Sequence, residues 1–123
     1  MTPDRPRVTP DRISELAPGE IFVFGSNAAG THGAGAALVA YEKFGAEWGV
    51  GAGLTGRTYA LPTMGGRSEL QREAAAFVDF AGRHPELTFY LTKVGCGIAG
   101  YTEEEVAPLF AGTPPNVIKP AGW

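Results

Sequence analysis

The chain of 123 residues has one cysteine and two histidines. With Cys96 alone, no internal disulfide and no cysteine cluster for a metal can form. His32 and His84 stand far apart and lack a metal-ligand spacing, so no metal is expected. No apolar run approaches the ~20 residues that a membrane helix needs. The opening MTPDRPRVTPDR is polar and proline-rich, without the apolar core of a secretory signal. A soluble cytoplasmic protein with no membrane partner is therefore expected. Excess positive charge is also missing: the formal charge is −3, which gives no footprint for long-range binding of nucleic acid. A short loop can still hold a phosphate without net positive charge.

What the chain has in quantity is glycine and proline, 18 and 10 residues, about twice the usual share of each. They follow no period, so they mark many tight turns and exclude a collagen-like repeat. At this length one domain is expected, with residues 1–8 a loose arm and 9–123 a single domain. A chain of this size buries roughly two thirds of its unfolded surface, enough for a core without staples.

The sequence turns on residues 21–44. Ile21, Phe22, Val23 and Phe24 are apolar and uninterrupted by charge, the pattern of a central strand buried on both faces. The run stops at Gly25. A loop follows with Ser26, Asn27, Thr31, His32 and the glycines Gly25, Gly30, Gly33 and Gly35. Ala34, Leu38, Tyr41 and Phe44 then recur at helical spacing from about Gly33 to Phe44. Strand, small-residue turn and helix N-terminus in that order offer backbone N–H groups to an anion. The spacing is neither the P-loop nor the GxGxxG pattern. A close-packed structural turn is the competing reading, because glycine also serves strand–helix packing.

The remaining chain repeats the theme. Thr9 with Pro10 reads as a helix start, with Ile13 and Leu16 as its apolar face and Pro18-Gly19 as its stop. Residues 45–56 read as a glycine-rich connection with an irregular strand around Trp48 to Val50. Residues 57–62 read as the second strand, ended by Pro62. Ser68 with Gln71 suggests a capping box, and Leu70, Ala74, Phe77 and Ala81 share one face of the helix that Gly82 closes. Residues 87–94 form the third strand and run into a second glycine loop, Gly95-Cys96-Gly97-Ile98-Ala99-Gly100. Thr102 with Glu105 is another capping box, Val106, Leu109 and Phe110 one apolar face, and residues 116–119 a last strand. The alternation predicts a three-layer α/β/α fold with a mostly parallel central sheet. Both glycine loops then emerge at the carboxyl ends of strands, where open α/β sheets bind ligands. Two such loops side by side could hold a diphosphate.

The pairing of NAAGTHGAGAA (Asn27 to Ala37) with GCGIAGY (Gly95 to Tyr101) resembles the macro domain family, modules that bind ADP-ribose. Asn27 and His32 fall at the family's spacing, followed by the turn Gly33-Ala34-Gly35-Ala36. Residues 33–46 and the triplet Gly95-Cys96-Gly97 look most like the branch containing the terminal ADP-ribose protein glycohydrolase, and like small macro-like proteins of bacteria and phages. The resemblance covers roughly residues 21–120. It implies a macro-like fold that binds ADP-ribose or a related NAD-derived nucleotide, free or attached to a macromolecule, with no further cofactor. It puts Asn27 beside the distal ribose, Gly33 to Ala36 along that ribose and the diphosphate, and the backbone of Gly95 to Tyr101 around the phosphates. Gly25, Ser26 and His32 complete the expected ligand-binding set. Hydrolysis of an ADP-ribosyl bond is an open question. The branch's catalytic lysine and aspartate fall at Met64 and Ala99, and the family's adenine-binding Gly-Asp is replaced by Gly19-Glu20 directly before the first strand. The family's loop aromatic also falls at Ala99.

Individual residues keep alternatives. Asn27 could simply hold an Asx-type turn, and Ser26 reads as a hydroxyl that satisfies backbone. His32 could bond a ribose or phosphate or brace the loop, and Tyr101 could line a pocket or pack under the last helix. A different class of function is a small thiol-dependent enzyme using Cys96 with His32. The sequence leaves the oligomeric state open.

Overall fold

A computed structural model describes residues 8–10, 13–27, 30, 35–97 and 99–123. The loop residues His32 and Ile98, the expected helix start at Gly33-Ala34 and most of the N-terminal arm fall outside the described residues. The fold is α/β: a five-stranded, mostly parallel sheet with helices packed on both faces. In chain order the elements are β1 (Glu20–Ser26), α1 (Gly35–Lys43), β2 (Gly53–Thr55), β3 (Thr58–Pro62), α2 (Arg67–Arg83), β4 (Thr88–Leu91), α3 (Glu103–Val106) with a 3₁₀ turn (Ala107–Phe110), and β5 (Val117–Ile118).

The strand order is β2-β3-β1-β4-β5, with β1 at the centre, parallel to β3 on one side and to β4 on the other. Alternation of side chains along β1 divides the core in two. Ile21 and Val23 enter one apolar layer with Leu70, Ala74, Phe77 and Ala81 of α2. Phe22 and Phe24 enter the other with Ala40 of α1 and Phe44. The face of α2 read from the sequence is the buried one. Phe77 anchors it, its ring 5.0 Å from Tyr59, 5.5 Å from Phe89 and 6.2 Å from Phe110.

Several local expectations are overturned. No helix runs through the described residues between Thr9 and Pro18. Thr9 is an anchor in place of a cap: its N–H donates to the Lys119 carbonyl at 2.8 Å, and its hydroxyl lies 2.7 Å from the Leu91 and 3.0 Å from the Ile118 carbonyl. Carbonyls at two strand ends outcompete a marginal helix for that hydroxyl. The strand sought at Trp48 to Val50 is a turn closed by the Val50 N–H on the Glu47 carbonyl, and the extended segment is β2, antiparallel to β3 across Gly56-Arg57. Ser68 does not cap α2, which starts at Arg67 after Gly66. The helix runs past Gly82 to Arg83. In α1 the buried positions are Ala40 and the following Phe44, while Tyr41 is exposed and meets Trp48 edge-on at 5.2 Å. Alanine at position 40 lets the helix lie close on the sheet, which turns Tyr41 outward.

The third strand is shorter than its composition suggests. Thr92 leaves the sheet after Leu91, and its N–H and hydroxyl both donate to the Val23 carbonyl, at 3.2 and 2.7 Å. The chain then turns tightly, the Val94 N–H bonding the Thr92 carbonyl at 2.7 Å. The last strand contracts likewise to Val117–Ile118. The Thr102–Glu105 capping box is present in full. No helix among the described residues is long and apolar enough to cross a membrane.

Candidate functional site

At the carboxyl ends of β1, β3 and β4 the sheet opens into a cleft of about 450 Å³. Because β1 and β4 are neighbours, the two glycine-rich loops that follow them form facing walls. One wall is Gly25, Ser26 and Asn27 with the first turn of α1 at Gly35, Ala36 and Ala37. The opposite wall is Thr92, Lys93, Val94, Gly95, Gly97 and Ala99, and Thr63 and Met64 close the third side.

The first loop is held by the connection that precedes β2. The Ser26 hydroxyl donates a short hydrogen bond to the Gly51 carbonyl. The Gly30 N–H donates to the Asn27 carbonyl at 3.0 Å, and the Gly30 carbonyl accepts the Gly49 N–H at 2.9 Å. Ser26 is thus committed to backbone, as the bland reading of its hydroxyl has it, and is no free nucleophile. The glycine-rich stretch at 45–56, weakly patterned in sequence, braces this wall of the cleft.

The second loop is closed by its own backbone. The Tyr101 N–H donates to the Gly95 carbonyl at 2.9 Å and the Gly100 N–H to the Gly97 carbonyl at 3.0 Å. Gly95 has φ of 79°, and a Cβ there would lie 3.3 Å from the Tyr101 ring. Tyr101 packs under the loop against the core, with the Arg67 guanidinium 6.0 Å from its ring centre. It supports the wall without lining the cleft, and Gly100 is likewise outside the lining.

Cys96 does not line the cleft either. Its Sγ points back to the Val94 carbonyl at 3.8 Å, and the residue packs against the core of the α2 face. Burial pushes the thiol above its ordinary range, and the nearby Glu103 carboxylate pushes the same way. Such a thiol is mostly protonated at neutral pH and is a poor nucleophile.

Among the described residues that line the cleft, Lys93 alone carries a charge. Its ammonium pairs with Glu103 at 3.3 Å. Glu103 also accepts the Trp123 indole N–H at 3.0 Å, and these two hydrogen bonds, the indole's first, hold its carboxyl below the usual range. A second cleft of about 240 Å³ lies beyond Thr92 and Lys93, reaching Thr9, Pro10 and Pro120.

Of the residues singled out in the sequence, Gly25, Ser26, Asn27, Gly35, Ala36, Gly95, Gly97 and Ala99 meet at this cleft. His32, Gly33, Ala34 and Ile98 lie outside the described residues. Ala37, Thr63, Thr92, Lys93 and Val94 also line the cleft and stand outside the expected set. Four of these five directly follow β3 or β4, so the rule that ligands sit beyond the carboxyl ends of parallel strands would have found them. Met64 and Ala99 both reach the cleft. Glu20 is at the opposite end of β1, its carboxylate accepting the Ala17 N–H and the Tyr90 hydroxyl, each at 2.7 Å. It cannot meet a base in the cleft. Arg57 donates to the Leu16 carbonyl, Arg67 pairs with Glu105, and His84 pairs with Glu86. No group of histidine, cysteine, aspartate or glutamate suited to a metal ion occurs among the described residues. Neither protein-family models, curated proteins nor solved structures give a match to this chain.

Proposed function

We propose that the cleft binds ADP-ribose or a closely related NAD-derived nucleotide, with affinity carried by the backbone of the two loops. The observation that carries this reading is the meeting of both glycine-rich loops around one cleft whose only charged lining residue, among those described, is a lysine. Its size falls within the roughly 300–1,000 Å³ of small-ligand sites. The first turn of α1, at Gly35, Ala36 and Ala37, presents N–H groups and the positive end of the helix dipole to the same space. An anionic ligand suits such a lining, and a diphosphate spans it from loop to loop. Resemblance to macro domains adds the ribose: Asn27 is the side chain assigned to the distal sugar.

Turnover, if the protein hydrolyses an ADP-ribosyl bond, uses a water positioned by the loops. Methionine at 64 and alanine at 99 exclude the lysine–aspartate chemistry of the glycohydrolase branch. The raised thiol of Cys96 gives the thiol-enzyme alternative no support. The ligand is free or attached to a macromolecule, since the cleft is open to solvent.

Calorimetric titration with ADP-ribose, with ADP, AMP and ribose 5-phosphate as controls, tests this. The expected result is saturable ADP-ribose binding tighter than AMP, weakened by Asn27→Ala. Absence of heat and of thermal stabilisation with all four ligands overturns it.

A further inference from the structure

Lys93 stands where β4 has just ended and the second loop begins, on the wall common to the two clefts. Its carbonyl accepts the Cys96 N–H at 3.2 Å, so the residue is part of the loop's own framework. Among the described residues its ammonium is engaged by one carboxylate, Glu103, with both side chains about half exposed, at 49% and 47%. Half-exposed pairs of this kind are weak and exchange readily.

The two partners are not equally free to move. One Glu103 oxygen is fixed by the Trp123 indole N–H, and that indole stacks on Phe110 with ring centres 5.9 Å apart. Lys93 has a four-carbon stem and three rotatable donors. Glu105 is committed to Arg67 at 2.6 Å and to the Thr102 cap. Glu103 is therefore the carboxylate placed to hold Lys93, and Lys93 is the member of the pair able to swing.

Resting on the reading of the cleft as a nucleotide site, we infer that Lys93 is the side chain that selects a diphosphate, and that Glu103 is a built-in competitor for it. A bound diphosphate offers more negative charge and more acceptor oxygens than one carboxylate, so the ammonium changes partner when it arrives. A ligand with a single phosphate offers less to exchange for. Lys93 then sets the preference for diphosphates, and Glu103 sets the threshold a ligand must exceed. When Lys93 turns away, Glu103 keeps its indole partner, so the exchange leaves the second loop in place.

The test uses the whole chain titrated with ADP, inorganic pyrophosphate and AMP, comparing wild type with Lys93→Gln, Lys93→Arg and Glu103→Gln. Arg83→Gln is the control, since it removes one surface charge from the far end of α2. Lys93→Gln is expected to weaken ADP and pyrophosphate by about tenfold, with a smaller loss for AMP. Lys93→Arg restores most of the affinity. Glu103→Gln, which keeps an oxygen for the indole, is expected to tighten ADP by about threefold. Unchanged ADP affinity in Lys93→Gln, or weaker binding in Glu103→Gln, overturns the inference even where wild type binds ADP-ribose well. Lys93-dependent binding of pyrophosphate without any preference for ADP-ribose over AMP removes the ADP-ribose reading and keeps the role of Lys93. A wild type that binds none of these ligands overturns both.

Discussion

Gly30 and Gly49 meet backbone to backbone, the Gly49 N–H donating to the Gly30 carbonyl at 2.9 Å. A Cβ placed on Gly30 would lie 2.4 Å from Gly49 C and Val50 N, with φ at +70°. Two separate penalties therefore fall on any side chain there, a left-handed backbone and a collision with backbone that has no flexible end to yield. Gly30→Ala is expected to lower stability by about 2–4 kcal/mol, read as a drop in the midpoint of urea unfolding. It should also weaken ADP-ribose binding more than Gly49→Ala does. At Gly49 a Cβ meets open space, although φ of +90° still strains the backbone.

That contact also shows what the sequence made legible and what it did not. The strand–loop–helix order, the central position of β1 and the buried face of α2 follow from local periodicity, and all are present. Glycine content predicted turns but could not say which glycines meet a ligand and which meet other backbone. Gly30 belongs to the second kind, because its partner lies nineteen positions away, beyond the reach of pattern reading. The same limit explains Thr9, whose hydroxyl chose carbonyls 82 and 109 residues away over a helix that local spacing favoured. Lys93 was hidden for another reason: within a β-branched and aromatic run it reads as the strand's polar face, and only the early exit of Thr92 brings it to the cleft.

Asn116 ties the end of α2 to the start of β5. Its side-chain amide lies 3.0 Å from each of the Ala81, His84 and Leu87 carbonyls. Two of these belong to the helix terminus and its cap, and each also accepts a backbone N–H, Ala81 from His84 at 3.2 Å and His84 from Leu87 at 3.0 Å. Asn116→Ala removes the side-chain donor that the three carbonyls share in a half-buried place. A loss of about 1–3 kcal/mol is expected in chemical denaturation. Asn116→Asp should cost at least as much, because a carboxylate has no N–H to donate and sets negative charge against three carbonyls. An Asp variant as stable as wild type would remove the donor role.

The start of α3 makes stability depend on pH in a stated direction. The Thr102 N–H, first, then the Arg67 guanidinium and the Thr102 hydroxyl hold the Glu105 carboxyl below the usual range. A carboxylate with a folded-state pKa lowered in this way stabilises the fold above its unfolded value, near 4.3. That contribution disappears as pH falls through the lowered folded value. Thr102→Ala removes the hydroxyl half of the reciprocal cap, leaving the backbone N–H on Glu105, and is expected to cost about 1 kcal/mol at neutral pH. In melts recorded from neutral to acid pH, the gap between wild type and Thr102→Ala should narrow below about pH 4. A gap that stays constant across that window would show that Glu105 gives Thr102 no charge-dependent support.

Cys96 separates the nucleotide reading from thiol chemistry. Its thiol is raised by burial and by Glu103, points to the Val94 carbonyl and lies outside the cleft lining. Alkylation by iodoacetamide should therefore be slower than for free cysteine at neutral pH. The rate should climb with a midpoint above the ordinary thiol value of about 8.5. Glu103→Gln removes one of the causes and should shift that midpoint down, while burial keeps it above the free value. Because the loop presents backbone and not sulfur to the ligand, Cys96→Ala should bind ADP-ribose within about twofold of wild type. Fast alkylation at neutral pH together with lost function in Cys96→Ala would reverse this order, putting the thiol at the centre of the site and the cleft in a supporting part.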